Sequence, residues 1–291
     1  MQSKSKFGNE YLISTQNGDF LSFVHDNMNF KLIKYNNICG SEKSDFIEFT
    51  DEEIQKNGFL ETLEKNLNTS NTKEIYFRLM PIVLNKQKRE ETIYFLKNKK
   101  YKVFELKSLF INLKNSYNFL KKNLRKSYKS LINKEKKSNS IIFSVDKNFK
   151  SENFQDWIKL YRSVLFRGNK NLNNISIEIM KKAVKENQLI ISLAYQNNIL
   201  LGGVTFNVNT FYVSYSSAAN SRFIEKDKSR YIGHYLLWES IIKLKELNFK
   251  YLDLGSEVAM DNVKEKEKNV VKFKKGFGPS ELTTYHFSKK V

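Results

Sequence analysis

A single cysteine, Cys39, stands in this chain of 291 residues, so no internal disulfide can form and stability must come from packing. A reducing compartment suits such a chain. Two prolines and eleven glycines leave little to interrupt regular elements, which excludes a loop-rich fold and favours long helices and strands. Three scattered histidines beside one cysteine exclude an ordinary zinc cluster, so no metal site is expected. No G-x-x-x-x-G-K-[ST] loop is present, and Gly202-Gly203 lacks a dinucleotide-binding context. No G-x-S-x-G nucleophile elbow occurs either. The most apolar stretch, Leu189 to Phe206, is broken by Gln196-Asn197-Asn198, which excludes a membrane span there. The N-terminal MQSKSKFGNEYLIS has no apolar run followed by a small-residue cleavage site. The expectation is a soluble, cytoplasmic protein.

What the chain does have is a globular balance of 40% hydrophobic and 14% aromatic residues. It also carries 50 Lys and Arg against 31 Asp and Glu, a net charge of +19. Such an excess draws polyanions over long range: RNA, DNA, anionic lipid headgroups, nucleotide-sugar phosphates or coenzyme A. Richness in Lys, Asn and Ile, which A+T-rich coding produces, accounts for the same excess without any ligand.

Apolar runs at EYLIS, FLSFVH and FKLIKY predict strands, with Asn17-Gly18 as a hairpin turn. Asp51-Glu52-Glu53 predicts a helix start, with the helix running to about Asn66. IYFRLM (75–80) reads as a strand ended by Pro81, Arg89 to Asn98 as a helix, and YKVFEL (101–106) as the next strand. Leu113, Tyr117, Leu120, Leu124, Tyr128 and Leu131 then form one apolar stripe. They predict a single long basic helix joining two halves. The expected organisation is a first half over 1–112, this connecting helix over 113–137, and a catalytic half over 138–291.

The second half begins with the strand IIFSV (141–145) and two helices, near 153–166 and 176–186. Strands at 189–195, 199–208 and 210–218 follow, with Asn197-Asn198 turning between the first two. A helix over about 231–247 leads to the strand KYLDLG (250–255). A short helix near Val270 and a last strand, LTTYHFS (282–288), end the chain. The whole is an α/β protein.

This order of helices, antiparallel meander, helix, parallel strand, helix and strand resembles the GNAT acyltransferases. LAYQNNILLGGVTFNVNTFYVSYSSA looks like their two central strands, which splay to admit an acyl donor. RYIGHY (230–235) resembles their pyrophosphate loop, Q/R-x-x-G-x-G/A before a helix, which works because successive N–H groups and a helix N-terminus face the phosphate. Arg230 and Gly233 fit the pattern, and Tyr235 stands where Gly or Ala is expected.

Five further segments, in order along the chain, resemble the FemAB-type acyltransferases. They are IYFRLMP (75–81), LKNKKYKVFELKSLFINL (96–113), LKKNLRKSYKSLINKEKKSNSIIFSV (120–145), LWESIIKLKELNFKYLDLGS (237–256) and KNVVKFKKGFGPSE (268–281). The resemblance implies two GNAT-like halves, each a mixed sheet flanked by helices. It implies transfer of an acyl or aminoacyl group from a thioester or ester donor to an amine of a sugar, nucleotide-sugar or peptide precursor. The co-substrate would be acyl-CoA or aminoacyl-tRNA, with no tightly bound cofactor. Partners would be a phosphate-bearing cell-envelope precursor and, for an ester donor, tRNA. The long coiled-coil arm common among the tRNA users is missing, which favours a small relative.

Transfer to an amine needs a stabilised oxyanion and a proton acceptor. Lys274 matches the family lysine beside the reacting carbonyl, and Phe273 and Lys272 flank it in the closing motif. Arg125 and Lys126 match its basic helix, and arginine suits bidentate phosphate contact. Asp253 and Glu257 lie at a strand's C-terminal end, where a carboxylate can take the amine's proton. His234 titrates near neutrality. Tyr212 and Tyr215 are three apart on a strand, so at most one faces a site. His25 and His286 show no partner and read as structural. Two other functions fit the composition: a basic nucleic-acid-binding protein, and a non-catalytic scaffold of the same fold.

Overall fold

In the computed structural model, residues 9–14, 19–26, 29–36, 47–61, 64, 74–79, 81, 85–137, 142–146, 151–167, 189–208, 212–221, 231–256 and 265–290 are described. The chain divides into two units. One contains Met1–Ser108 and Leu282–Val291, the other Leu109–Glu281.

In the first unit, β1 (Asn9–Ser14), β2 (Asp19–Asp26) and β3 (Asn29–Asn36) form an antiparallel sheet. Ser14 pairs with Phe20, as the expected hairpin requires; its Asn17-Gly18 turn lies outside the described residues. A second sheet sets β4 (Ile47–Phe49) parallel to β5 (Glu74–Leu79). Next to β5, antiparallel, lies β12 (Ser280–Lys290). The last strand, expected with the second half, is thus a strand of the first unit from Leu282 onwards. Phe77 stacks on Phe287 at 5.4 Å and meets Phe49 edge-on at 5.2 Å. These rings centre a core that includes Ile54, Phe59, Leu79 and Leu96.

The helix expected over 51–66 is interrupted. α1 (Asp51–Gln55) has a full capping box, with Glu53 N–H donating to Thr50 Oγ1 and Thr50 N–H to the Glu53 carboxylate. It ends as Lys56 turns extended and Gly58 takes a φ of +73°, a conformation glycine adopts without steric cost. Helical turns resume at 59–61. Its buried Asp51 accepts from Arg89 Nε at 2.9 Å. Arg89 lies on α2 (Lys86–Asn98), which starts at the Asn85 cap, earlier than expected. β6 (Lys102–Asn112) runs longer than expected, beginning in the first unit and ending in the second.

The single connecting helix is a correction. Two helices stand there: α3 (Tyr117–Asn123), capped by Ser116, and α4 (Lys126–Lys137). The break at Leu124, with ψ near 139°, falls where Arg125 N–H donates to Gly276 O at 2.9 Å. A bond from a distant segment thus overrides a continuous apolar stripe. Of the expected stripe Leu113, Leu120, Leu124 and Tyr128 are buried, but Tyr117 is exposed and Leu131 half-buried, and Ile132 takes the next buried position on α4.

The rest of the second unit follows the expected order. β7 (Ile142–Asp146) and α5 (Ser151–Arg167) precede the antiparallel β8 (Leu189–Gln196), β9 (Ile199–Val208) and β10 (Val213–Asn220). Asn197 and Asn198, both at positive φ, turn the chain between β8 and β9. The helix expected near 176–186 lies outside the described residues. α6 (Ile232–Glu246) then carries the chain to β11 (Tyr251–Ser256), parallel to β10. α7 (Glu265–Lys275) completes the unit. Leu201, Phe206, Val213, Trp238, Leu252 and Leu254 share one core. Among the described residues no helix is long and apolar enough to cross a membrane.

Candidate active site at the fork between two parallel strands

β10 and β11 pair at Val213 with Leu252 and at Ser214 with Asp253, and no further. Both strands continue. β10 bulges between Tyr215 and Ser217 against β9, while β11 runs on to Ser256. The strands therefore fork directly after Ser214 and Asp253, and a bulge at such a place re-aims the side chains around it.

Three side chains meet at the fork. Lys274 Nζ stands 4.8 Å from the centre of the Tyr215 ring, a cation over the electron-rich face. Asp253 supplies a negative charge to the same ammonium. Burial lowers the Lys274 pKa and Asp253 partly restores it, leaving it at about 8. Burial alone pushes the Tyr215 hydroxyl up to about 12. Lys274 reaches the fork because it shares an α7 face with the buried Val271, three residues earlier. Lys272, two positions away, is on the exposed side.

A left-handed residue near the end of β11 holds this group in place. Gly255 has φ +96°, and its N–H donates to Asp253 Oδ1 at 2.7 Å. A Cβ at Gly255 would lie 3.3 Å from Lys274 Nζ. Glycine here meets two needs, a left-handed backbone and room for the ammonium.

His234 sits elsewhere, in a cage of rings. Tyr128, Phe273 and Tyr231 meet it at 4.4, 5.0 and 5.9 Å between centroids. Burial lowers its pKa, so the ring is neutral at physiological pH. Phe273 belongs to this cage, and its carbonyl accepts from the Tyr128 hydroxyl at 3.2 Å. The Gly276-Phe277-Gly278 segment of the closing motif packs on the α3–α4 break. A Cβ on Gly276 would overlap the Tyr128 ring, and Gly278, at φ +72°, lies against Asn123.

Arg125 is exposed and covers the Tyr128 ring at 5.4 Å. Lys126 is exposed at the start of α4. Tyr212 is fully buried, 6.0 Å from Phe110 between centroids, and does not face the fork. Gly233 lies in the first turn of α6, where a Cβ would meet Asn220 Nδ2 at 3.7 Å, an ordinary contact. Glu257, Arg230 and Cys39 lie outside the described residues.

Sequence reasoning missed Tyr128, Gly255 and Glu135. Glu135 is 2% exposed and accepts the Tyr231 N–H at 2.8 Å. A signal for it existed: it is the one acid on a basic helix, and it continues the stripe of Tyr128 and Ile132. His286, for which the sequence offered no partner, has one: its Nε2 lies 3.1 Å from Thr284 Oγ1, which donates to Leu106 O at 3.0 Å.

No family model and no curated protein matches the chain in sequence. Solved structures match its fold. A crystal structure of FemX aligns over 94% of this chain and 84% of its own, with TM-score 0.64 and 9% identity. The C-terminal domain of a protein described as a lysylphosphatidylglycerol synthetase, from Agrobacterium fabrum, aligns over 98% and 85%, with TM-score 0.56 and 9% identity. L-PGS from Bacillus licheniformis aligns over 96% and 83%, with TM-score 0.56 and 12% identity. The expected mixed α/β architecture and likeness of fold to the FemAB-type proteins are borne out. In its fold, the chain is similar to FemX.

Proposed function

We propose that this protein is an N-acyltransferase, moving an acyl or aminoacyl group from an ester or thioester donor to an amine. The observation that carries this reading is the partly dehydrated Lys274 ammonium at the mouth of the β10–β11 fork, held between Tyr215 and Asp253. A carbonyl placed in the fork lies between two strands whose ladder ends at Ser214 and Asp253, with a fixed cation beside its oxygen. The acceptor nitrogen attacks the carbonyl carbon, a C–N bond forms, and the oxygen becomes an oxyanion opposite Lys274. Collapse breaks the C–O or C–S bond and expels an alkoxide or thiolate. The proton given up by the amine neutralises that leaving group. A preorganised cation in a water-poor site stabilises such an oxyanion without reorganising. Asp253 keeps the lysine charged despite burial and fixes the turn at Gly255.

The acceptor class fits a phosphate-bearing precursor. Arg125, Lys126 and Lys272 are exposed cations of this unit, suited to phosphate oxygens. The neighbours named as lysylphosphatidylglycerol synthetases support aminoacyl transfer as a member of this class, with aminoacyl-tRNA as donor.

The test is product formation, read by mass spectrometry, from acetyl-coenzyme A and from aminoacyl-tRNA with amino-sugar and peptide acceptors. Lys274→Ala is expected to lower turnover by about 10²–10³-fold, the usual cost of one oxyanion donor, while still unfolding in one cooperative transition. Wild-type turnover in that variant would overturn the assignment.

A further inference from the structure

The start of α6 is where the resemblance to RYIGHY expects a donor's pyrophosphate, held by successive N–H groups. One of those groups is already taken. Tyr231 N–H donates to Glu135 Oε1 at 2.8 Å, across from α4. An ionised carboxylate accepting a backbone N–H at a helix start is a charge-assisted bond, and it satisfies the positive end of the helix.

Three further features mark this as a built arrangement. α6 has no acidic residue in its first turn, and its N-cap, Tyr231, makes no side-chain cap bond. The anion that suits the helix end is therefore supplied by another helix. Glu135 is 2% exposed on the buried stripe of α4 with Tyr128 and Ile132, so it cannot swing into solvent without unpacking. Tyr235, replacing the expected Gly or Ala, is buried, and burial first, then the charges of Glu239 and Glu135, raise the pKa of its hydroxyl. Bulk and negative charge thus occupy the face a phosphate would need. Of the lysines on α4, Lys136 is bridged to Glu239 at 3.7 Å and Lys134 lies over the Tyr231 ring at 5.8 Å.

We infer that Glu135 is a specificity-determining residue: it fills the anion position at the start of α6 with the protein's own carboxylate and excludes donors held there through a phosphoanhydride. A coenzyme A thioester is then rejected at this position. The inference rests on the transferase reading only for calling the excluded molecule a donor.

Calorimetric titration at near-physiological salt tests it, with inorganic pyrophosphate and coenzyme A as probes. Glu135→Gln keeps the acceptor oxygen and removes the charge, while Glu135→Ala frees the N–H and opens space. Each is expected to bind both probes at least about tenfold more tightly than the wild type. If Glu135→Ala does not fold, Glu135→Gln decides alone. Wild-type binding of coenzyme A that Glu135→Gln leaves unchanged or weakens would overturn the inference. The binding readout needs no turnover, so it stands or falls separately from the transferase reading.

Discussion

Lys274 Nζ lies 4.8 Å above the Tyr215 ring, on the opposite strand of the fork from Asp253. The ring is a partly buried phenol that stays neutral until about pH 12. It attracts the ammonium without neutralising it, so the lysine remains a cation at physiological pH while losing much of its water.

The Lys274 charge should set the alkaline limit of activity. With its pKa depressed to about 8, turnover is expected to fall as pH rises through 8, well before ordinary lysines deprotonate. Lys274→Arg should keep some activity and move that limb upward, since arginine stays charged. Stability runs the other way. The folded pKa lies below the unfolded value of 10.5, so the unfolded chain holds more protons between pH 8 and 10.5, and stability rises with pH there. Lys274→Met removes the buried charge and should raise stability at pH 7 by on the order of 1 kcal/mol, seen as a higher melting temperature.

Gly255→Ala should injure both turn and site. Its φ of +96° costs a side-chain-bearing residue about 1–3 kcal/mol, and the new methyl group presses on Lys274 Nζ. The expected result is a lower denaturation midpoint together with a shifted alkaline limb in the rate profile. A change in stability alone would separate the turn from the ammonium.

Gly276→Ala is expected to destabilise without touching the reacting groups. The added methyl overlaps the Tyr128 ring, which contacts His234 and Phe277. Overpacking of this kind costs about 1–3 kcal/mol. Denaturant unfolding should show it, and the variant Gly276→Ala/Tyr128→Ala should recover part of the overpacking term.

His286 predicts acid sensitivity in the first unit. It is fully buried, and burial together with the Arg78 charge opposite pushes its pKa down to about 3. The unfolded chain takes up a proton below about pH 6.5, while the folded one does not until about pH 3. Stability conferred above 6.5 is therefore lost as pH falls between those values, by roughly 2–3 kcal/mol between pH 7 and 4. His286→Gln, lower in stability at pH 7, should show a flatter dependence of melting temperature on pH in that window.

Local signals made much of the second unit legible. β8 and β9 are long β-rich runs joined by Asn197-Asn198, and both asparagines take the left-handed conformation that such a turn demands. The α1 cap was equally plain in its acidic first turn. The α3–α4 break was not, because the stripe from Leu113 to Leu131 contains no glycine or proline. What fixes the break is a carbonyl at Gly276, placed there by the fold. Lys274, Tyr215 and Asp253 stood apart in sequence on α7, β10 and β11, and only the forked parallel pairing draws them together. Tyr212 looked equivalent to Tyr215 in composition but precedes the first paired residue of β10 and packs into the core. Glu135 stayed hidden because a lone acid on a basic helix reads as a surface charge until its helix is docked.

The late strand β12 has a bearing on how the molecule is made. On a ribosome the N-terminal elements appear first, yet β5, paired on one side with β4, receives its second partner strand only when Leu282 and its successors emerge. Phe77 has no Phe287 to stack upon until then. The second unit, all of whose residues precede Leu282, can close while the first still waits, so synthesis order and completion order are reversed. Such a nascent chain carries an unsatisfied strand edge and an open aromatic core through most of its elongation, the stage at which a holdase would protect it.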